Sequence, residues 1–305
     1  NELDRFFKKN IFPAGVKVYF YLENEERNFL ENILPKNVIY VIHAEDRRYI
    51  TDLYECDSYR IFATSRPKVS EKSAVIKALS VAEKGIHVHF THISSLDALI
   101  EIEKAKKKGL PVTADVTPHH LLLTKKEGER LKSVAKCFPP LRDELDRRAL
   151  FKAVIRGVVD AIASDHAPHS PEEKELDLCL APPGIASIQY VLPLLFTLAR
   201  KMHIEDMKPF IKALSQNPAN ILKIRDRGRI NTGYYADIVL FDPKKRWIIR
   251  GEDGFSKAKL IPWEGMEVRG YVRATFIRGQ LVYEEGSFLK RTGKFLQPQR
   301  SKNSF

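Results

Sequence analysis

Ala163-Ser164-Asp165-His166-Ala167-Pro168-His169 decides the fold, because a largely apolar run, Val158 to Ala163, breaks off here in an acid and two histidines. A buried strand that stops in this way delivers reactive groups to the mouth of a barrel. Alone, an Asp-x-x-x-His is as readily a helix N-cap beside a surface imidazole. Other segments end in the same manner. Val38-Ile39-Tyr40-Val41-Ile42 runs into His43-Ala44-Glu45-Asp46, and His87-Val88-His89-Phe90-Thr91 runs into His92-Ile93-Ser94-Ser95. Gly15-Val16-Lys17-Val18-Tyr19-Phe20 sets a lysine inside an apolar strand, where an unpaired ammonium loses several kcal/mol of hydration. Four strands therefore present Lys17, His43, His92 and Asp165, all side chains that can serve a metal.

Between the strands the periodicity is helical. Apolar Ala74, Val75, Ala78, Leu79 and Ala82 recur at spacings of three and four within Glu71 to Lys84, and Leu96 to Lys108 repeats the pattern. Gly109-Leu110-Pro111 stops the second helix, and Val112-Thr113-Ala114-Asp115-Val116 reads as the next strand. Alternating strands and helices imply a parallel sheet with right-handed crossovers, and reactive groups at strand C-termini imply an α/β TIM-type (β/α)8 barrel. The alternative is an open doubly wound sheet, but no Gly-rich phosphate loop follows any strand. Beyond Ile224 the pattern changes to short strands, with Ala236 to Phe241 as one and Val268 to Tyr283 holding two more, broken at Arg278-Gly279-Gln280. The expected organisation is a barrel portion over 1–224, a small β-sandwich portion over 225–287 and a loosely ordered basic tail over 288–305.

Further motifs follow in order: Thr117-Pro118-His119-His120-Leu121, Pro139-Pro140-Leu141-Arg142, Glu172-Glu173-Lys174, Ala181-Pro182-Pro183-Gly184, Asn217-Pro218-Ala219, Gly233-Tyr234-Tyr235-Ala236-Asp237 and Phe255-Ser256-Lys257. Most are weak singly. Together with Gly15-Val16-Lys17, His43 to Asp46, Thr91 to Ser95 and Ser164 to His169, they resemble the dihydroorotases of the amidohydrolase superfamily, in its cyclic-amide hydrolase branch, over nearly the whole chain.

The resemblance implies a zinc-dependent enzyme that reversibly hydrolyses (S)-dihydroorotate to N-carbamoyl-L-aspartate, the cyclisation being the direction of pyrimidine biosynthesis. It implies two zinc ions sharing a carboxylated Lys17, with His43 and His92 on the more exposed ion and Asp165 on the more buried one. A carbamate on Lys17 would turn a costly cation into a bridging anion. Asp165 is also the implied general acid/base, taking a proton from the attacking hydroxide and passing it to the departing ring nitrogen. His169 and the backbone around Pro183 and Gly184 are implied to hold the anionic substrate. Asp115 matches an acidic position that resembles a ligand of an additional zinc in the animal multifunctional pyrimidine protein, although an Asp at a strand end more often accepts ordinary hydrogen bonds. Two other readings stand beside this one: a hydantoinase or allantoinase, and an inactive dihydroorotase-like scaffold that binds aspartate transcarbamoylase.

Four histidines are set aside. His87 and His89 share one strand face but precede the strand end, which favours a core or lower-face role. His119 and His120 follow the next strand and are read as structural, with no partner visible in the sequence.

Two features depart from the family pattern. The family's first barrel strand carries His-x-His followed by an arginine for the substrate carboxylate, and nothing before Lys17 supplies these. The expectation is a C-terminal portion whose barrel is incomplete at the N-terminus. As given, such a chain is inactive, binds fewer than two zinc ions, and exposes a flank lined by Val16, Val18 and Phe20. Phe138 stands where many family members have a substrate-binding asparagine, and its side chain can form no hydrogen bond.

At 305 residues and 44% hydrophobic, the chain can bury one major core beside an appendage. No apolar run approaches the ~18 residues of a membrane span, and no signal peptide is visible. Cys56, Cys137 and Cys179 are odd in number and scattered, which argues for a reducing cytoplasm over a disulfide framework. The net charge of +12 is spread over mixed-charge helices such as Glu101 to Lys108 without an aromatic-interleaved patch. That pattern argues against nucleic acid and suits the steering of a dianionic small molecule; a homo-oligomer is compatible with it.

Overall fold

A computed structural model describes residues 13–22 and 38–296. Five parallel strands stand side by side in sequence order: β1 (Gly15–Tyr19), β2 (Ile39–His43), β3 (Val88–Phe90), β4 (Val112–Val116) and β5 (Ala161–Ile162). Helices fill the connections from β2 onward. They are α1 (Tyr59–Ser65) and α2 (Lys68–Ala82) before β3, α3 (Leu96–Lys107) before β4, then α4 (Pro118–Leu122), α5 (Lys125–Leu131) and α6 (Glu144–Ile155) before β5. Sequential parallel neighbours joined by helices make the wall of a TIM-type barrel. Ser95 caps α3 by accepting the Ala98 N–H at 3.3 Å, so the helix starts directly after the strand end that carries His92.

The apolar faces of the strands and of α2, α3 and α6 merge in one core. Strand alternation decides the sidedness of β1, and it reverses one expectation. Val18 and Phe20 are 7% and 0% exposed and pack with this core, so they do not line an open flank. Period two places Lys17 on the face opposite this core.

A second sheet is antiparallel, in the order β6 (Ile238–Ile248), β7 (Glu267–Ile277), β8 (Gln280–Glu284) and β9 (Ser287–Phe288). β7 pairs with β8 up to Ile277 and Gln280, leaving Arg278 and Gly279 as a two-residue loop in which both φ angles are positive, +50° and +75°. This backbone suits the twist of a hairpin, and glycine adopts it without steric cost. After the short α7 (Pro171–Glu175), α8 (Val191–Lys201) joins this sheet to the barrel, with Thr197 Oγ1 accepting the Arg269 N–H at 2.8 Å.

Contrary to the expectation from their number, Cys56 and Cys179 form a disulfide, with Cα atoms 5.6 Å apart across 123 residues of sequence. Only the course of the loops brings them together; their spacing carries no trace of it. Cys137 is free and buried. No helix among the described residues is long and apolar enough to cross a membrane. Residues 297–305 of the expected basic tail lie outside the described residues.

Candidate active site

β2 ends in His43, which is buried, and its Nε2 lies 2.6 Å from Glu45 Oε2. Glu45 is itself fully buried and gripped by Arg66, through Nη2 to Oε2 at 2.6 Å and Nε to Oε1 at 3.0 Å. Burial pushes the Glu45 carboxyl up, but the Arg66 guanidinium and the His43 hydrogen bond outweigh it and bring it down to about 2. Burial also lowers His43, against the pull of Glu45. A carboxylate only accepts, so the proton of a neutral His43 sits on Nε2 and its lone pair on Nδ1. Arg66 in turn stacks under the Phe138 ring, 3.7 Å from its centroid. The aromatic residue at the usual asparagine position thus supports the ion pair behind His43.

His92 lies two residues beyond β3, and its ring meets that of His43 edge-on with centroids 4.5 Å apart. The His92 backbone is left-handed, φ +43°, and its N–H donates to Asp115 Oδ1 at 2.6 Å. Asp165, at the end of β5, has φ +45°. Positive φ outside glycine is uncommon and clusters where a site holds its backbone under strain; His and Asp tolerate it better than most residues. His92 Nδ1 is buried and finds no hydrogen-bond partner among the described residues. Burial, then the neighbouring His43 and Lys17, hold His92 well below its usual range.

Asp115 accepts from His89 Nε2 as well, at 2.9 Å, while His89 Nδ1 and His87 Nε2 both reach Thr113 Oγ1 at 2.8 Å. The His87-x-His89 pair is thereby engaged in the barrel wall, and Asp115 orients the His92 loop. Behind that loop, buried Glu71 accepts the Ser94 N–H at 2.8 Å and the Ser95 hydroxyl, and burial pushes it up to about 7 against the opposing charge of Arg142.

Lys17 links the four strand ends. Burial lowers its pKa, and Asp115 and Asp165 oppose that change. Burial raises Asp165, with Lys17 opposing and Asp115 adding to the rise. The same ammonium lowers both His43 and His92. One cation is therefore within electrostatic reach of both imidazoles and both carboxylates. Neutral imidazoles, one with an unpartnered buried nitrogen, beside a carboxylate and a lysine whose charge is disfavoured, are a donor set that fits zinc.

The loop after β5 is laced to the segment 183–188. Ser187 N–H donates to His166 Nδ1 at 3.0 Å, the Ser187 hydroxyl to the Ser164 carbonyl at 2.6 Å, and His169 Nε2 lies 3.1 Å from the Pro183 carbonyl. Gly184 has φ +148°, and a Cβ there would fall 2.6 Å from the Ala167 carbonyl oxygen, so this packing needs glycine. The structure thus joins Pro183 and Gly184 to His169 on the loop that follows Asp165 in the chain. The Glu45–Arg66 support and the Glu71 anchor were not read from the sequence. His43-x-Glu45 was the one visible signal, an acid two residues from a candidate ligand.

The amidohydrolase family profile matches residues 36–282. The dihydroorotase of Methanosarcina acetivorans is 34% identical over 92% of this chain and 65% of its own length. Those of Aquifex aeolicus and Bacillus subtilis are 39% and 38% identical, over 85% and 73% of this chain and 61% and 52% of theirs. The chain thus spans about half to two thirds of the length of these curated relatives. Among solved structures, the L-hydantoinase (dihydropyrimidinase) of Arthrobacter aurescens superimposes with a TM-score of 0.89 over 97% of this chain and 70% of that one, at 23% identity. The dihydropyrimidinase of Brevibacillus agri gives 0.83 over 94% and 67%, at 24%. At such identities these neighbours speak for the fold alone. A parallel five-stranded sheet that carries Lys17 within its first strand and His43, His92 and Asp165 at or just beyond the ends of three others, a profile match over most of the sequence and relatives that are dihydroorotases together establish that the chain belongs to the amidohydrolase family.

Proposed function

We propose that this protein is a zinc-dependent dihydroorotase, interconverting (S)-dihydroorotate and N-carbamoyl-L-aspartate in cytoplasmic pyrimidine biosynthesis. The observation that carries the reading is the meeting of the His43 and His92 rings, centroids 4.5 Å apart at neighbouring strand ends, beside the unpartnered buried nitrogen of His92. Lys17, carboxylated, and His43, His92 and Asp165 would contribute ligands to a pair of zinc ions. Bound zinc supplies Lewis acidity and a water of lowered pKa. Asp165, raised by burial, accepts the proton released as the ring amide is attacked and returns it to the departing nitrogen. Glu45 keeps the His43 lone pair on Nδ1, and Asp115 fixes the His92 backbone. His169, with the Pro183 and Gly184 backbone, orients the substrate anion. In this reading the described residues up to 224 belong to the barrel portion of the enzyme and 225–287 to its appendage.

The test is turnover of dihydroorotate, hydantoin and allantoin by the full gene product loaded with zinc. Turnover of dihydroorotate alone is expected. Preference for hydantoin or allantoin overturns the substrate assignment. Zinc binding without turnover of any of the three overturns the enzyme reading, and capture of aspartate transcarbamoylase would then mark a scaffold.

A further inference from the structure

The two histidines set aside as structural, together with the free cysteine, form a second cluster. His119, His120 and Cys137 are 0%, 2% and 2% exposed, and one donor atom from each lies within 4.8 Å of the other two. Both ring nitrogens of His119 are buried without a hydrogen-bond partner among the described residues. A buried imidazole with two orphaned nitrogens is costly, and such a group calls for a ligand. Its neighbours have partners: Thr117 Oγ1 lies 2.8 Å from His120 Nδ1, and Cys137 shares a hydrogen bond with the Tyr59 hydroxyl. His120 Nε2 lies 3.1 Å from the Pro139 carbonyl, and the Cys137 thiol donates to the same oxygen at 3.2 Å. One carbonyl therefore serves two groups that could instead face a metal.

We propose that His119, His120 and Cys137 form a buried zinc site, separate from the candidate active site, that ties α4 to the loop carrying Phe138. Zinc takes nitrogen and thiolate ligands at about 2.0–2.1 Å and 2.3 Å in a tetrahedron, so neighbouring ligand atoms sit roughly 3.3–3.6 Å apart. Side chains whose donors are within 4.8 Å reach that spacing by rotamer-scale movement. The Pro139 carbonyl is placed to complete the shell. The ligands are held from behind in the manner of metal-bound histidines: Thr117 Oγ1 lies 2.8 Å from His120 Nδ1, fixing the ring with Nε2 toward Cys137 and Pro139.

The protonation states suit this role. Burial keeps His119 well below its usual range and brings His120 down to about 4, so both imidazoles are neutral. Burial, with the charge of Asp165, pushes the Cys137 thiol up to about 12 in the absence of a cation. Binding would replace the S–H bond by a sulfur–metal bond and release the proton to solvent. Arg142 lies within electrostatic reach of His120 and Cys137 and opposes a second cation, but it favours the thiolate that offsets the ion's charge. The consequence is mechanical. Phe138, adjacent to Cys137, stacks on the Arg66 that holds Glu45 and so His43.

Cobalt(II) substitution separates this site from the other, because Lys17, His43, His92 and Asp165 include no sulfur. The full chain, with its disulfide intact and no reductant, is titrated with cobalt(II) both when folded and during refolding. Expected are a near-ultraviolet thiolate-to-cobalt charge-transfer band that zinc bleaches, its loss in Cys137→Ser with one fewer zinc ion bound per chain, and weakening of about tenfold or more in His119→Gln. A wild-type protein without that band at saturating cobalt(II), or a Cys137→Ser protein that retains it, overturns the proposal. As Cys137 is the chain's single free thiol, the wild-type spectrum decides even where Cys137→Ser does not fold.

Discussion

Glu45→Gln keeps the shape of a side chain and removes its charge, isolating what the buried carboxylate does for Arg66 and His43. The fall of its pKa from the ordinary 4.5 to about 2 corresponds to about 3 kcal/mol of native-state stabilisation. Breaking a buried ion pair while leaving the cation in place costs about 3–5 kcal/mol, a consistent figure. A depressed carboxyl contributes stability that is complete above pH 4.5 and lost as pH falls through about 2. The gap between wild type and variant in chemical denaturation is therefore full at pH 7 and narrows progressively below pH 4.5. The substitution also changes the imidazole. Arg66 claims the Gln carbonyl, which turns the amide N–H toward His43 Nε2, and a donor facing a donor moves the His43 proton to Nδ1. The lone pair offered to a metal is then gone, and zinc affinity falls by about 10–100-fold. Nitrogen-15 imidazole spectra read the tautomer, and chelator competition reads the affinity. A variant with the proton still on Nε2 and unchanged zinc affinity would refute the reasoning.

Asp165→Asn in the full enzyme lowers kcat by about 10²–10⁴, whereas His169→Asn acts mainly on KM; equal losses in kcat at constant KM would contradict the division of labour. Phe138→Leu removes the ring face from Arg66 and destabilises the protein by about 1–2 kcal/mol, seen as a lower Tm. Glu71, raised by burial to about 7, makes the wild type lose stability as pH rises from 4.5 to about 7; Glu71→Gln abolishes that dependence in denaturation curves taken across this range. Cys56→Ser opens a loop spanning 123 residues and costs about 2–4 kcal/mol without reductant, while under reducing conditions the variant and wild type converge.

Local pattern by itself determined the alternation of strands and helices, the lysine set within the first apolar strand, and the points where apolar runs give way to His43, His92 and Asp165. Strand period and helix period are properties of a few consecutive residues, and so is the abrupt change from buried to reactive side chains at a strand terminus. The same locality accounts for the hairpin at Arg278-Gly279. The supports of the site had no such signal. Arg66 reaches Glu45 across 21 residues, Asp115 reaches His89 across 26, and Cys56 meets Cys179 across 123. Sidedness was likewise undecided: alternation predicts that Val18 and Phe20 share a face opposite Lys17, but not which face meets α2 and the core. His119, His120 and Cys137 appeared as isolated residues, and only the packing of α4 against the Phe138 loop made them neighbours. Tertiary structure decided these points because buried charges and donors are paired by the course of loops through space, where separation along the chain carries no information about distance.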